Sequence, residues 1–213
     1  MEAKFTEQES LAVISQMIEQ ARNNLQKGSG NGMIFAGWMV AIIAILNALL
    51  MLLFHKKGIN TDYSMLVWIS IIPGTYINYL IQKKDNRKSM VKTHIDSIVS
   101  AIWSGFAYSV IILLAVFFGI GLGKKFYHVF SLITPVMLIM LGSAGFVMAK
   151  ACRFSPIGAV VMWLGALVCI GAMWLKYPYP IIIMTHFFIY AICMIFGMVL
   201  QGYQLNKLAN KNV

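Results

Sequence analysis

The chain has 213 residues, 60% of them hydrophobic and only 11% charged, with a mean hydropathy of +0.77. A soluble domain usually holds about 45–50% apolar and about 25% charged residues, which excludes an ordinary water-soluble enzyme or binding module. The net charge of +10 would point to nucleic acid in a soluble chain, but here the basic residues sit between apolar runs, and no nucleic-acid partner is expected.

The chain opens on a polar segment, "SLAVISQMIEQARNNL". Leu11, Ile14, Ile18, Ala21 and Leu25 recur at spacings of 3 and 4, the seam of an amphipathic helix. Thr6 and Glu9 fit a capping box at its start. Glycines 28, 30 and 32 end it. The stripe lasts two heptads, too few for a convincing coiled coil. Residues 1–32 carry a net charge of −1, unlike the basic helices that lie on anionic lipid. The expected partner of the stripe is protein: the cytoplasmic face of its own bundle, a second copy in a homodimer, or a cytoplasmic partner. No short apolar stretch with a cleavage site precedes it, and no signal peptide is expected.

Six apolar runs follow, at residues 33–54, 64–81, 97–120, 127–149, 157–175 and 181–201. A helical span needs roughly 20 apolar residues, and the short connectors make successive runs antiparallel hairpins. The expected fold class is all-α, a polytopic membrane bundle. It comprises a cytoplasmic amphipathic helix with its hinge (1–32), six transmembrane helices (33–205) and a short cytoplasmic tail (206–213). Twelve Lys and Arg residues flank one side and five the other. By the positive-inside rule both termini are cytoplasmic, and a bacterial inner membrane is the expected location.

The first run places Asn47 near mid-membrane, where its amide needs a partner inside the bundle. The second carries Asn78, Tyr76 and Tyr79. After it comes the basic loop with Lys83, Lys84, Arg87, Lys88 and Lys92 against Asp85. Its charges set topology, and they also suit anionic lipid headgroups or the acidic face of the opening helix. His94 and Asp96 begin the third run, with Asp96 read as a helix N-cap.

The third run repeats Ser97, Ala101, Gly105 and Ser109 every four residues, with Ser100 and Ser104 alongside. Small residues let helices approach closely in lipid, so this is read as the central packing helix; a ligand groove along the same face is the alternative. "GIGLG" at its end resembles half a nucleotide fingerprint but precedes no βαβ unit. Gly142, Gly145, Gly165 and Gly171 suggest similar close contacts in the fourth and fifth runs. Spans two and four share "IIPG" and "ITPV", and Trp38, Trp103 and Trp163 recur in the odd-numbered spans. Interfacial preference explains the tryptophans without an internal repeat.

His55, His128 and His186 fall on the outer side, with His186 the deepest. Three imidazoles are the ligand count of a hydrolytic zinc site, but no HxxxH or HExxH spacing supports one. No metal, cofactor or catalytic residue is expected, and Cys152, Cys169 and Cys193 are read as small hydrophobes. Asn47, Tyr108 and His186 are the residues expected to line a cavity.

The stretch "ESLAVISQMIEQARNNLQKGSGN", followed by "GW" in an apolar run, resembles a family of uncharacterised bacterial integral membrane proteins with a cytoplasmic N-terminal helix. The resemblance rests on residues 9–38 and implies the same membrane topology, without an activity or site residues. In size and span number the chain is also similar to the substrate-binding subunits of energy-coupling-factor vitamin transporters, a likeness of architecture only. The function expected is non-enzymatic binding or transport of a small solute within the bundle. The alternative is a structural or regulatory subunit that dimerises or recruits a partner through its N-terminal helix, and an outer-face metal-dependent hydrolase comes last.

Overall fold

The computed structural model describes residues 11, 15, 28–86, 94–123, 127–175 and 177–211. Seven α-helices, two 3-10 segments and one π segment make up the described bundle, and no strand occurs among these residues. The helices are α1 (Asn31–Lys56), α2 (Ile71–Asn86), α3 (His94–Gly123), α4 (Ile133–Ala151), α5 (Ile157–Met173), α6 (Tyr179–Cys193) and α7 (Leu200–Lys211). Among the described residues, five helical stretches of 22–32 residues are long and apolar enough to cross a membrane, and α5, with 17 residues, is a shorter apolar helix. The protein is an all-α membrane helix bundle.

Each element ends where its chemistry dictates. At the start of α1, the Gly30 amide donates to Asn206 Oδ1 at 2.9 Å, and Asn206 Nδ2 donates to Asn31 Oδ1 at 2.8 Å. A residue of α7 thus supplies the cap that the first helix lacks in its own sequence. At the other end of α1, Ile59 N donates to the Phe54 carbonyl at 2.9 Å and Gly58 N to His55 at 3.3 Å. This is a Schellman closure, with Gly58 at φ +65°. The same closure ends α4 through Phe154 and Ala149, but Arg153 holds the left-handed position at φ +57°. Most side chains adopt that conformation only at a cost.

The two Ile-X-Pro motifs have a common structural meaning. Pro73 and Pro135 each occupy the third position of an α-helix, α2 and α4, directly after a 3-10 segment (Thr61–Ser70 and Tyr127–Leu132). Proline has no N–H, and the first turn of a helix needs none. The last span is longer than the hydropathy suggests. Tyr179 to Asn210 is one continuous helix of 32 residues, α6 and α7 joined through the π segment Met194–Val199. The expected tail at 206–213 is therefore helical to Lys211, with Leu205 and Ala209 buried.

The centre of the bundle is α1 against the long α6–α7 rod, and glycines set how close they come. A methyl added at Gly37 would meet Val199 Cγ2 at 2.7 Å, and one at Gly202 would meet the Gly30 carbonyl at 2.9 Å. Across the rod, a methyl at Gly158 of α5 would meet the Gly197 carbonyl at 2.5 Å. At Gly202 and Gly158 backbone meets backbone, and at Gly37 backbone meets a valine methyl, the close approach expected where lipid gives helices no hydrophobic reason to associate. Gly142, Gly145 and Gly165 are close contacts too, against Trp163, Gln201 and Cys193, whereas Gly171 faces open space.

The helices form a horseshoe. α2 packs on α1, α1 on α6 and α7, α6 on α5, α5 on α4, and α4 on α3. The two ends of this series, α2 and α3, do not pack along one another although they are consecutive in sequence. The expectation that α3 is the central packing helix is therefore corrected. Only 6% of its span is buried, against 39% for α1 and 50% for the α6–α7 rod. Ser97, Ala101, Gly105 and Ser109 are all exposed within the chain, and a methyl at Gly105 would meet nothing within 4 Å. The spacing of small residues is real, but no helix among the described residues covers it.

Candidate functional site

Between the arms of the horseshoe lies a cleft of about 1170 Å³. This exceeds the roughly 300–1,000 Å³ of pockets that hold drug-sized ligands. α1 and α2 form one wall, α3 forms the other, and α4 with the α6–α7 rod forms the floor.

The lining changes character along the membrane normal. On α2, Gln82, Asn78 and Thr75 face the cleft at successive turns back from the helix end. On α3, Ser97, Ser100 and Ser104 face it at successive turns from the helix start. The helices are joined by a short connector and run antiparallel, so these amides and hydroxyls of α2 and serines of α3 occupy the same end of the cleft, each set over about two turns. Deeper along the same walls come Ile71 and Trp68 on one side and Ala107, Val110 and Ile111 on the other. The floor is methionine-rich, with Met137, Met194 and Met198 beside Leu141 and Tyr190. Met is a flexible side chain that adapts to irregular shapes. No Lys, Arg, His, Asp or Glu is among the described lining residues.

Gly32 explains how the α2 amides lie flat against α1. A methyl there would meet Gln82 Nε2 at 2.8 Å and Asn78 Oδ1 at 3.1 Å. The π segment places Met194 and Met198 on the floor. Wide turns of this kind occur often at functional sites.

The three residues expected to line a cavity are not brought together there. Tyr108 is 68% exposed on α3 and lies outside the cleft. Asn47 and His186 are fully buried in the core and line no part of it. Asn47 instead supports a wall. With its amide oriented to satisfy its neighbours, its nitrogen donates to Ser64 Oγ at 2.7 Å and to the Ser64 carbonyl at 3.0 Å. Its oxygen accepts from Trp68 Nε1 at 2.9 Å. Trp68 then leans on Phe187 and Tyr190, with ring centroids 5.8 and 6.5 Å away. The buried amide therefore fixes an indole that faces the cleft.

His186 lies toward the other end of the bundle. Its Nε2 is 2.9 Å from the Cys169 carbonyl. A carbonyl only accepts, so Nε2 carries the proton. Nδ1 has no hydrogen-bond partner of ordinary geometry, and the backbone of Ser131 lies beside the ring. Gln201 is a second buried polar group without partners, its amide held between Gly145 and Gly158. His55 is exposed while His186 is buried, and no group of three metal-ligating side chains converges among the described residues.

Several expected features fall elsewhere. Of the opening stripe, Leu11 is helical and exposed, while Ile14, Ile18 and Leu25 lie outside the described residues. So do Arg87, Lys88 and Lys92 of the basic loop. Lys83 and Lys84 close α2 and are exposed, with the Lys83 ammonium 5.8 Å from the Tyr79 ring centroid.

The residues that the sequence reading missed are Trp68, Gln82, Met194 and Met198, and it gave Ser100 and Ser104 only a secondary place. One signal for them was present: hydroxyl and amide side chains at matched distances from the loop that joins the second and third runs.

Comparison of the chain with protein-family models, with curated proteins and with solved structures gives no match.

Proposed function

We propose that this membrane protein binds a small solute in the cleft between α2 and α3, as a non-enzymatic carrier or receptor. One observation carries the reading: a cleft of about 1170 Å³ with hydroxyls and amides on facing walls at one end and an apolar floor. Polar side chains at membrane depth need partners, and a gap between helices forfeits the contacts its walls would otherwise make. A bound molecule answers both needs. The cleft is open on one side of the horseshoe, which suits entry and exit better than permanent capture.

Within this proposal the protein sits in a bacterial inner membrane with both termini cytoplasmic, so the polar end of the cleft faces the cytoplasm. The basic residues Lys83 and Lys84 at the end of α2 rest on anionic headgroups there, each contributing about 1 kcal/mol. The test is melting of purified full-length protein against a panel of small solutes. A true ligand at one hundred times its Kd stabilises the folded state by about 2.7 kcal/mol. Ser100→Phe, which fills the cleft from an exposed position, should abolish that shift. Solutes that stabilise both proteins equally would place the site elsewhere.

A second reading is favoured by the exposure of α3, with only 6% of its span buried. A second copy packing on the outward face around Gly105 and Ser109 would cover it. Mass measurement in nanodiscs separates monomer from dimer.

A further inference from the structure

We infer that the occupant of this cleft is an acylglycerol drawn sideways from the bilayer, with its glycerol–ester region between the facing polar rungs and an acyl chain along the methionine floor. The inference rests on the solute-binding reading and names its substrate class.

Three observations converge on that chemistry. The first is the division of the lining by depth. The amides and serine hydroxyls, at Gln82, Asn78, Ser97, Ser100 and Ser104, lie in the half nearest the helix ends, among the apolar Met33, Val99, Ala101, Trp103 and Leu205. Apolar ones occupy the deeper half, at Trp68, Val110, Ile111 and Met137. From Ser97 to Ile111 the α3 wall runs for 15 residues, a rise of about 21 Å at 1.5 Å per step. A compact polar solute would leave the deep half empty, and a pure hydrocarbon would leave the rungs unpaired. A molecule with a polar head and a long chain satisfies both, in the orientation that lipids already have.

The second observation is the absence of charge. The described lining holds no ionisable acid or base apart from the Tyr190 phenol. Burying a carboxylate or phosphate without a counter-charge is costly. The portion of the ligand between the rungs is therefore uncharged and rich in oxygen. Ester carbonyls accept from serine hydroxyls, and a glycerol hydroxyl both donates to and accepts from the exposed Gln82 amide.

The third is the route. α2 and α3 do not pack along one another, and only 11% and 6% of their spans are buried. The opening is lateral, between two helices that face lipid, so a bilayer component reaches the cleft without crossing water.

The experiment uses the full-length protein and native mass spectrometry, with monoolein, oleate and dioleoylphosphatidylcholine as probes. Monoolein and oleate share one chain and differ in the uncharged glycerol head. The expected result is one monoolein retained per chain, at least tenfold more than oleate or the phospholipid, and lost in both Ser100→Phe and Ser104→Phe. Ile112→Phe, on an exposed part of α3 outside the cleft, should retain it and shows that a bulky change on this helix is tolerated. Equal retention in the filled variants would mean lipid bound elsewhere and overturn the inference. Equal retention of oleate would overturn the argument from charge. Failure to retain any lipid, alongside a water-soluble solute whose stabilisation Ser100→Phe abolishes, would overturn the inference and leave the binding reading standing. Failure of both would remove the two together.

Discussion

At the residue scale, Asn47 is a buried amide that holds a wall of the cleft without lining it. Ser64 and Trp68 satisfy it, and it fixes the indole on the cleft wall. Hydrogen bonds between membrane helices average only about 0.6 kcal/mol in one well-studied bundle. Removing one partner is more severe, because a buried donor or acceptor left alone costs about 1–3 kcal/mol. Asn47→Leu should therefore lower stability by about 1–3 kcal/mol, since it orphans Trp68 Nε1 and Ser64 together. Ser64→Ala leaves Trp68 its acceptor and should cost about 0.5–1.5 kcal/mol. Melting curves of the two variants in one detergent decide it: equal losses, or none for Asn47→Leu, would mean the network is not formed. The need for a partner at Asn47 was legible in the sequence, as a lone amide near mid-span. Its identity was not. Ser64 and Trp68 lie in a 3-10 segment, and hydropathy does not distinguish that winding from the α-helix that follows.

At the element scale, the apolar runs marked where helices lie but not which ones touch. α3 is the clearest case. Ser97, Ala101, Gly105 and Ser109 sit at the spacing that lets helices pack closely, and the same spacing lets a helix border a cleft or face lipid. Only the contacts separate these outcomes. Gly158 and Gly197 meet backbone to backbone at the π segment, whereas Gly105 meets nothing. The glycines therefore differ in what an added methyl does. Gly158→Ala must push α5 away from the long rod and should cost about 1–3 kcal/mol, as overpacked cores do. Gly105→Ala adds a methyl in open space and should be neutral or stabilise by about 0.5–1 kcal/mol through helix propensity. Comparing both melting temperatures with that of the unmodified protein tests this. A large loss at Gly105 would mean that a second chain covers α3, which supports assembly over an open face.

At the scale of the whole molecule, the proposed binding site follows from a topological gap. Five neighbouring contacts hold the horseshoe together, and the missing sixth, between α2 and α3, creates the cleft. No local pattern encodes this, because it depends on α1 pairing with α6 and α7 across most of the sequence, fastened by Asn206 at the α1 N-terminus. The gap can be tested directly. The native thiols Cys152, Cys169 and Cys193 are all buried, so they should resist alkylation in the folded protein, and introduced pairs report cleanly. A disulfide needs Cα atoms about 4.4–6.8 Å apart, closer than walls separated by a cleft. The pairs Asn78→Cys with Ser100→Cys, and Thr75→Cys with Ser104→Cys, should resist direct oxidation yet be joined by a long bifunctional maleimide. Efficient oxidation of either pair would show that the arms close on each other and that the cleft is absent. If a long spacer joins them, the tethered protein should also retain a loaded ligand longer than the untethered one, because the tether spans the lateral exit.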